Sequence, residues 1–460
     1  MSQSSSSGRG LFSGNLGYVL AVAGSAVGLG NIWRFPYLAA KYGGGIFLLV
    51  YFLLLFTFGY ALIMAETSLG RNTRLSPVGA YRSFADKQHP FLKIGGWLNA
   101  IVPMIILPYY CLIGGWIVKY MFEYVTGGST AAATDGFFVG FITSNFTPVF
   151  WHLIFLGCTA LIILKGVEKG VERASVVMMP ILLILAFVVA VYSMTRPGAG
   201  AGIAYYLIPD FSKFSIMTVV AACGQLFFSL SVGMGILITY GSYMKKDVDL
   251  EQSVHHIEIF DTGIAFMAGL MVIPSVFAFS GGDEAALGKG PGLMFITLPK
   301  VFDSMKGGSI IGALFFLLVL FAALTSSVSV MEAVVSSVMD KFRWNREKAT
   351  VLVALVTAIV GIVVCLGYNL LYFELRLPND SVGQILDVMD YISNYVLMPV
   401  VALASCVMVG WVLGPKSIID EVTRNGERFG REKLYVAMIK IVAPVLLLFL
   451  LLQSLGVVKL

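Results

Sequence analysis

Gly24-Ser25-Ala26-Val27-Gly28-Leu29-Gly30-Asn31 stands in the middle of the first apolar segment of the chain. Each glycine weakens a helix by roughly 1 kcal/mol relative to alanine. In a hydrocarbon medium, every backbone group freed by a break must also find a partner inside the protein. A chain accepts that cost where the opened carbonyls and amides bind something polar. Much further on, Ser229-Leu230-Ser231-Val232-Gly233-Met234-Gly235 interrupts another apolar segment in the same manner. Two Gly/Ser-broken segments, one in each half of the chain, point to a polar site near the middle of a bilayer.

Composition supplies the setting. The 460 residues are 58% hydrophobic and 12% charged, with a mean hydropathy of +0.87, whereas soluble domains are about 25% charged. Apolar runs of about 20 residues, enough to cross a hydrocarbon core, recur from end to end. They are continuous rather than alternating, which argues against a barrel. The net charge of +5 resides in loops and implies no nucleic-acid partner. The polar start, Ser2 to Gly8, has no cleavage signal, so the first helix is expected to stay in the mature protein. Cys111, Cys158, Cys223, Cys365 and Cys406 all lie in apolar segments without a CxxC or Cys/His cluster, which disfavours a disulfide framework or a soft-metal site.

Spanning segments are predicted at 13–40, 44–69, 94–124, 149–165, 173–194, 216–243, 253–280, 308–340, 349–370, 384–413 and 434–456, eleven in all. Basic residues in short loops set the orientation. Arg71, Arg74, Arg82 and Lys87, then Lys165, Lys169 and Arg173, then Lys245 and Lys246 all fall on the side of the N-terminus. Lys341, Arg343, Arg346 and Lys348, and finally Lys416, Arg424, Arg428, Arg431 and Lys433, fall there too. The N-terminus is therefore expected in the cytoplasm and Leu460 outside, in a multi-pass protein of a plasma (bacterial inner) membrane. The loop at about 282–307 opens on Gly281-Gly282-Asp283-Glu284 and carries an apolar face at Phe295, Ile296 and Leu298; it reads as a re-entrant or lid-like helical pair. Gly170 to Pro180 predicts either local unwinding or a plain kink at the inner end of the fifth helix.

Gly24 and Gly28 alone would fit a helix-packing GxxxG. Further residues tip the balance toward a site. Asn31 and Arg34 follow directly, Glu66 lies deep in the second segment and Asp261 inside the seventh; ionisable groups at membrane depth usually mark a pathway or a paired network. Thr325-Ser326-Ser327 adds three hydroxyls to the eighth. Hydroxyls, carbonyls, an amide and one carboxylate are ligands for a small hard cation. The pattern is that of a solute transporter.

GSAVGLGNIWRFP, the following GGGIF, Tyr109-Tyr110, SLSVGMG and ALTSS occur in an order and spacing that resemble the neurotransmitter:sodium symporter family, with the closest likeness to its bacterial amino-acid transporters. The resemblance implies an all-α integral membrane protein of about eleven helices in a five-plus-five inverted repeat, with helices 1 and 6 broken. The organisation is then a tail at 1–12, a first repeat at 13–194 (helices 1–5), a second at 216–413 (helices 6–10), and a loop with helix 11 at 414–460.

The resemblance also implies sodium ions at two sites and no organic cofactor. One site would take the Ala26 carbonyl, the side chains of Asn31, Ser229 and Asp261, and the substrate carboxylate. The other would take the carbonyls of Gly24, Val27 and Ala322 with the hydroxyls of Thr325 and Ser326. The substrate carboxylate would meet the amides of Leu29 and Gly30 and the Tyr110 hydroxyl, because a half-helix N-terminus presents free N–H groups and positive potential. The ammonium would meet the carbonyls of Ala26 and Phe228 and the hydroxyl of Ser231. Tyr110 and Phe228 would close over it, Arg34 and Asp390 would form an outer ion pair, and Arg9 and Asp340, with Tyr243 nearby, an inner latch.

Gly28 occupies the position where monoamine-carrying members of the family place an aspartate, which implies an α-amino-acid substrate. Ile106, Ile113, Phe228, Met234 and Val330 would give its side chain an apolar lining that disfavours charge. Met234 stands where a leucine-carrying branch has phenylalanine; an unbranched thioether leaves room for larger groups, so aromatic and large aliphatic amino acids are expected. Asp261 replaces the family's commoner asparagine, near an anion pocket resembling Tyr51, Gln225 and Ser229. Its carboxylate would substitute for chloride, and a proton could bind it when sodium and substrate leave. The expected partners are the amino acid and membrane lipid, with the chain a monomer or weak dimer. A receptor or channel without coupled flux is the alternative. An enzyme is disfavoured: HExxH and GxSxG are absent, and His255 and His256 sit at a helix entrance.

Overall fold

The first apolar segment does not run as one helix. In the computed structural model, which describes residues 10–85, 90–281, 291–379 and 381–458, Asn15–Ala26 (α1a) and Gly30–Lys41 (α1b) meet at a 50° bend. Val27, at the break, has an extended backbone, with φ −78° and ψ 91°. The glycines there answer a steric demand. A Cβ on Gly28 would lie 2.6 Å from Ser326 Oγ, and one on Gly30 would lie 2.4 Å from the Phe228 ring.

The other spans follow as α2 (Gly45–Thr73), α3 (Leu92–Thr126), α4 (Thr147–Leu164) and α5 (Val167–Met194). A second broken span comprises α6a (Ile216–Ser229) and α6b (Ile236–Tyr243). Then come α7 (Leu250–Ser280), α8 (Gly308–Phe342), α9 (Arg346–Leu366), α10 (Ile385–Val412) and α11 (Glu432–Ser454). Among the described residues nine helices are long and apolar enough to cross a membrane, and the bent α1 pair makes ten. The broken α6 pair, each half too short to count alone, makes eleven. Between α6a and α6b, Ser231, Gly233 and Gly235 all adopt positive φ, at 56°, 73° and 67°, which closes off a continuous helix.

Much of the packing of the first ten spans repeats when five is added to each number. The contact of α1 with α7 corresponds to that of α6 with α2, α5 with α7 to α10 with α2, and α3 with α4 to α8 with α9. The contact of α3 with α10 corresponds to that of α8 with α5, while the pairs α3–α8 and α4–α9 map onto themselves. This is the inverted repeat. Exposed Val351, Leu355 and Ile359 on α9 and Ile441, Val445 and Leu448 on α11 form apolar outer faces suited to lipid.

Three sequence expectations change in detail. Around Gly170 the chain neither unwinds nor simply kinks; Val167–Glu172 forms a π-helical turn continuous with Arg173–Met194, so the added residue is absorbed inside a helix. Arg71, read as a loop residue, is a buried part of α2. Its Nε donates to Glu421 Oε1 over 2.8 Å and its Nη1 to the Val248 carbonyl over 2.7 Å, which seats the helix Lys416–Val422 against the bundle. The first half of the helical pair expected at 282–307 lies outside the described residues. In the second half, Phe295 and Leu298 are buried but Ile296 is 37% exposed. The Phe295 carbonyl accepts from the Tyr120 hydroxyl over 2.7 Å, and its ring stacks on Phe138.

Candidate substrate and ion site

The two breaks face each other. Ser231 Oγ lies 3.1 Å from Ser25 Oγ and donates to the Ser25 carbonyl over 3.3 Å. Between them is a small cavity of about 20 Å3. One wall is Ser25, Ala26, Gly28, Leu29 and Gly30; another is Phe228, Ser231 and Met234; Ile106 and Tyr110 from α3 and Ser326 and Val330 from α8 complete it. Ile113 is buried one turn beyond Tyr110 but does not line this cavity, because its place on α3 carries it past the opening. Ser25, to which the sequence pattern assigns no role within the break, does line it.

The Tyr110 hydroxyl is buried without a hydrogen-bond partner among the described residues. It stands 3.3 Å from where a Cβ on Gly28 would be. Leu29 and Gly30 lie at the first turn of α1b, where helix amides lack intrahelical acceptors. An unpaired hydroxyl, a helix N-terminus and a glycine that leaves the backbone open together suit a carboxylate.

A cluster of polar side chains lies next to this cavity. Asn31 Nδ2 donates to Asp261 Oδ1 over 2.9 Å. Ser229 Oγ is 2.5 Å from the same carboxylate oxygen and 3.1 Å from Asn31 Oδ1. The Tyr51 hydroxyl reaches Asp261 Oδ2 over 3.0 Å and Ser229 Oγ over 3.4 Å. All four residues are buried. Gln225 lies one turn before Ser229 and donates its Nε2 to the Gly30 carbonyl over 2.8 Å, so it ties α6a to the first turn of α1b rather than joining Asp261.

A second oxygen cluster forms where α1a ends against α8. Ser326 Oγ lies 3.4 Å, 3.2 Å and 3.5 Å from the carbonyls of Gly24, Ser25 and Val27. Thr325 Oγ1 is 3.1 Å from the Ala322 carbonyl and 3.0 Å from that of Phe321. Hydroxyls and carbonyls without nitrogen or sulfur donors suit a hard cation.

Comparison with known proteins accords with this geometry. The model of the sodium:neurotransmitter symporter family matches residues 9–132 and 142–459. The chain belongs to that family. It is 32% identical over 449 residues to an uncharacterised sodium-dependent transporter of Bacillus subtilis, covering 96% of this chain and 97% of that one. A sodium-dependent transporter of Haemophilus influenzae is 33% identical over 459 residues, 97% of this chain and 98% of its own. The sodium- and chloride-dependent GABA transporter 2 of Homo sapiens is 27% identical over 469 residues, 90% of this chain and 75% of its own. The crystal structure of MhsT in complex with L-phenylalanine superposes with a TM-score of 0.87 at 36% identity, covering 97% of this chain and all of that one. The chain is thus a sodium-dependent membrane transporter.

In this symporter the expected outer pair does not form a salt bridge. The Arg34 guanidinium lies over Phe228, 5.4 Å from the ring centroid, and 5.7 Å from that of Tyr395. Asp390 instead accepts from Asn394 Nδ2 over 2.5 Å and from the Tyr109 hydroxyl over 3.4 Å. The nearest partners are aromatic faces for Arg34 and neutral donors for Asp390. Arg34 and Phe228 also border an outer cavity of about 140 Å3 that runs to Gln453 on α11, so Phe228 is the wall between the outer and central cavities.

On the basic side, the symporter is closed by its own N-terminal segment. Phe12 is buried and meets Tyr18, Tyr240 and Tyr243 edge-on, and its amide donates to the Tyr243 carbonyl over 3.1 Å. Arg9, expected in the inner latch, lies outside the described residues. Asp340 Oδ2 accepts from the Ser76 amide over 2.7 Å. Tyr243 donates to Glu332 Oε1 over 2.6 Å, and Arg346 grips both oxygens of Glu332 at 2.6 Å and 2.8 Å. Sequence reasoning missed Glu332 and treated Arg346 only as a loop charge, although an intramembrane glutamate was itself a signal. Glu66 was noticed but not placed: its Oε1 accepts from the Gly233 amide over 3.0 Å, which ties α2 to the break in α6.

Proposed function

We propose that this sodium-dependent transporter couples inward sodium movement to uptake of a zwitterionic α-amino acid with an aromatic or large aliphatic side chain. The observation that carries this reading is the central cavity. Its polar end holds the Tyr110 hydroxyl and the opened backbone at Gly28, and its other end holds Ile106, Phe228, Met234 and Val330. Gly28 carries no acid, and a Cβ there would lie 2.6 Å from Ser326 Oγ, so in this reading the carboxylate comes with the substrate. That MhsT was crystallised with L-phenylalanine agrees with an aromatic ligand.

In this reading Ala26, Asn31, Ser229 and Asp261 hold one sodium beside the substrate carboxylate. Gly24, Val27, Ala322, Thr325 and Ser326 hold another, and through it α1a is clamped to α8. Binding at these hinges favours the closed arrangement in proportion to the ions' differential affinity for it. Release on the basic side follows when α1a and Phe12 swing from α8 and Tyr243. Asp261 supplies the negative charge that makes chloride unnecessary. The first ten spans act as the two repeats 13–194 and 216–413, and the basic loops face the cytoplasm of a bacterial cell.

Proteoliposomes with an inward sodium gradient should accumulate phenylalanine, tryptophan or leucine above equilibrium. Equal accumulation with potassium or choline in place of sodium would defeat the coupling. Competition by charged amino acids as strong as by aromatic ones would defeat the substrate class.

A further inference from the structure

The basic side carries another cavity, remote from the broken helices, of about 300 Å3. Arg82, Lys93, Trp97, Asp340 and Lys341 line it. Three elements bring them together: Arg82 from the helix Pro77–Phe84, Lys93 and Trp97 from the start of α3, and Asp340 and Lys341 from the end of α8. Three cations and one carboxylate leave two positive charges in excess, and that carboxylate already accepts from the Ser76 amide over 2.7 Å. All three cations are exposed. The Lys341 ammonium lies 5.1 Å from the centroid of Trp97, which sets one charge against an aromatic face.

The surface of α3 beyond the recess changes character. Ile94, Trp97, Ile101 and Met104 are 61%, 39%, 37% and 38% exposed. Spacings of three and four residues put them in one stripe along the helix; Ile94 lies level with Lys93 at its start, and Trp97, Ile101 and Met104 lead from the cations toward the membrane interior. Trp97 stands at the junction, the position that an indole favours between headgroups and hydrocarbon. A cationic recess, an aromatic boundary and an apolar stripe in that order match a phosphate, a glycerol backbone and an acyl chain. Inorganic phosphate would use the recess and leave the stripe bare.

We propose that this cavity binds the phosphate of an anionic phospholipid, with an acyl chain laid along Ile101 and Met104. Basic recesses between membrane helices bind such headgroups through the same charge complementarity.

The test uses the full chain in phosphatidylcholine nanodiscs doped with acyl-brominated phosphatidylglycerol or, separately, acyl-brominated phosphatidylcholine, and reads quenching of tryptophan fluorescence. The brominated phosphatidylglycerol is expected to quench more strongly at equal content, and Trp97→Phe to abolish the difference. Each cation near the surface contributes about fivefold, so R82Q/K93Q/K341Q should cut the preference by more than about tenfold. The control K165Q/K169Q/R173Q removes three exposed charges from the same side and should leave it within about twofold, because diffuse surface attraction is screened.

Equal quenching by the two lipids in the unmodified protein would overturn the proposal. So would a difference that survives Trp97→Phe, or equal losses in the two triple variants. Displacement of the lipid by millimolar glycerol phosphate would assign the recess to a soluble phosphate and overturn the lipid as occupant.

Discussion

Tyr51 and Asp261 are joined by a 3.0 Å hydrogen bond from the phenol to Oδ2, while the other carboxylate oxygen faces Asn31 and Ser229. The carboxylate therefore has one oxygen held by the scaffold and one turned toward the polar cluster beside the central cavity. Two sodium ions and a zwitterion would leave excess positive charge in a medium where repulsion is strong, and Asp261 offsets it. Uptake by the unmodified protein is expected to be the same in chloride and in gluconate, unlike that of relatives named as chloride-dependent. Asp261→Asn and Asp261→Ser should lower chloride-free uptake by about tenfold to a hundredfold, the range of losing a hydrogen-bonded charge. Chloride should partly rescue the serine variant, whose shorter side chain leaves room for the ion. A strong loss of wild-type uptake in gluconate would refute the argument.

Met234 lines the central cavity and is 4% exposed. Exchanging its flexible thioether for a ring adds volume to a closed wall, which costs roughly 1–3 kcal/mol where neighbours cannot yield. Met234→Phe is expected to move preference from tryptophan and tyrosine toward leucine and smaller aliphatic side chains. The ratio of tryptophan to leucine uptake, measured in parallel on both proteins, reads the shift. An unchanged ratio would remove Met234 from the side-chain end of the site.

Glu332 is fully buried and held by Arg346 at 2.6 Å and 2.8 Å. Removing one partner strands the other charge, which costs about 3–5 kcal/mol. Arg346→Gln should therefore lower the thermal midpoint markedly, and Glu332→Gln/Arg346→Gln should recover much of the loss because no buried charge is left alone. A double variant no more stable than Arg346→Gln would show that the grip on the Tyr243 hydroxyl, rather than charge pairing, is what matters.

The eleven spans and the two broken helices were legible because their signals are local. An apolar run of sufficient length and a glycine-rich interruption each declare themselves within twenty residues or so. The oxygen clusters were legible through the family pattern, and Asn31, Ser229 and Asp261 do come together. What escaped depends on partners far away in sequence. Glu332 needed Arg346 across a turn, and Arg71 needed Glu421, 350 residues on. The Arg34–Asp390 pair was expected from the family pattern, yet rotamers and nearby donors decide which of several neighbours a charge takes: Arg34 sits on Phe228 and Tyr395, and Asp390 on Asn394. The π turn at Val167–Glu172 was marked only as an irregularity near Gly170, since residue types do not distinguish a π turn from unwinding or a kink.

Ser231 separates strain from function. It adopts φ +56°, a left-handed conformation that costs a residue with a Cβ about 1–2 kcal/mol. Its hydroxyl offsets part of that by reaching Ser25 Oγ at 3.1 Å and the Ser25 carbonyl at 3.3 Å, and it lines the central cavity. Ser231→Ala keeps the strain and loses the hydroxyl, so its thermal midpoint should fall. Ser231→Gly loses the same hydroxyl but relaxes the backbone, so its midpoint should lie above that of the alanine variant and near that of the unmodified protein. Uptake should respond differently. If Ser231 Oγ faces the substrate ammonium, both variants lose the contact, and both should raise the concentration for half-maximal uptake by roughly five- to tenfold, the worth of one hydrogen bond of about 1–1.5 kcal/mol. A glycine variant that transports with unchanged apparent affinity would leave Ser231 as a structural hinge residue only. An alanine variant as stable as the glycine variant would show that the positive φ stores no strain there.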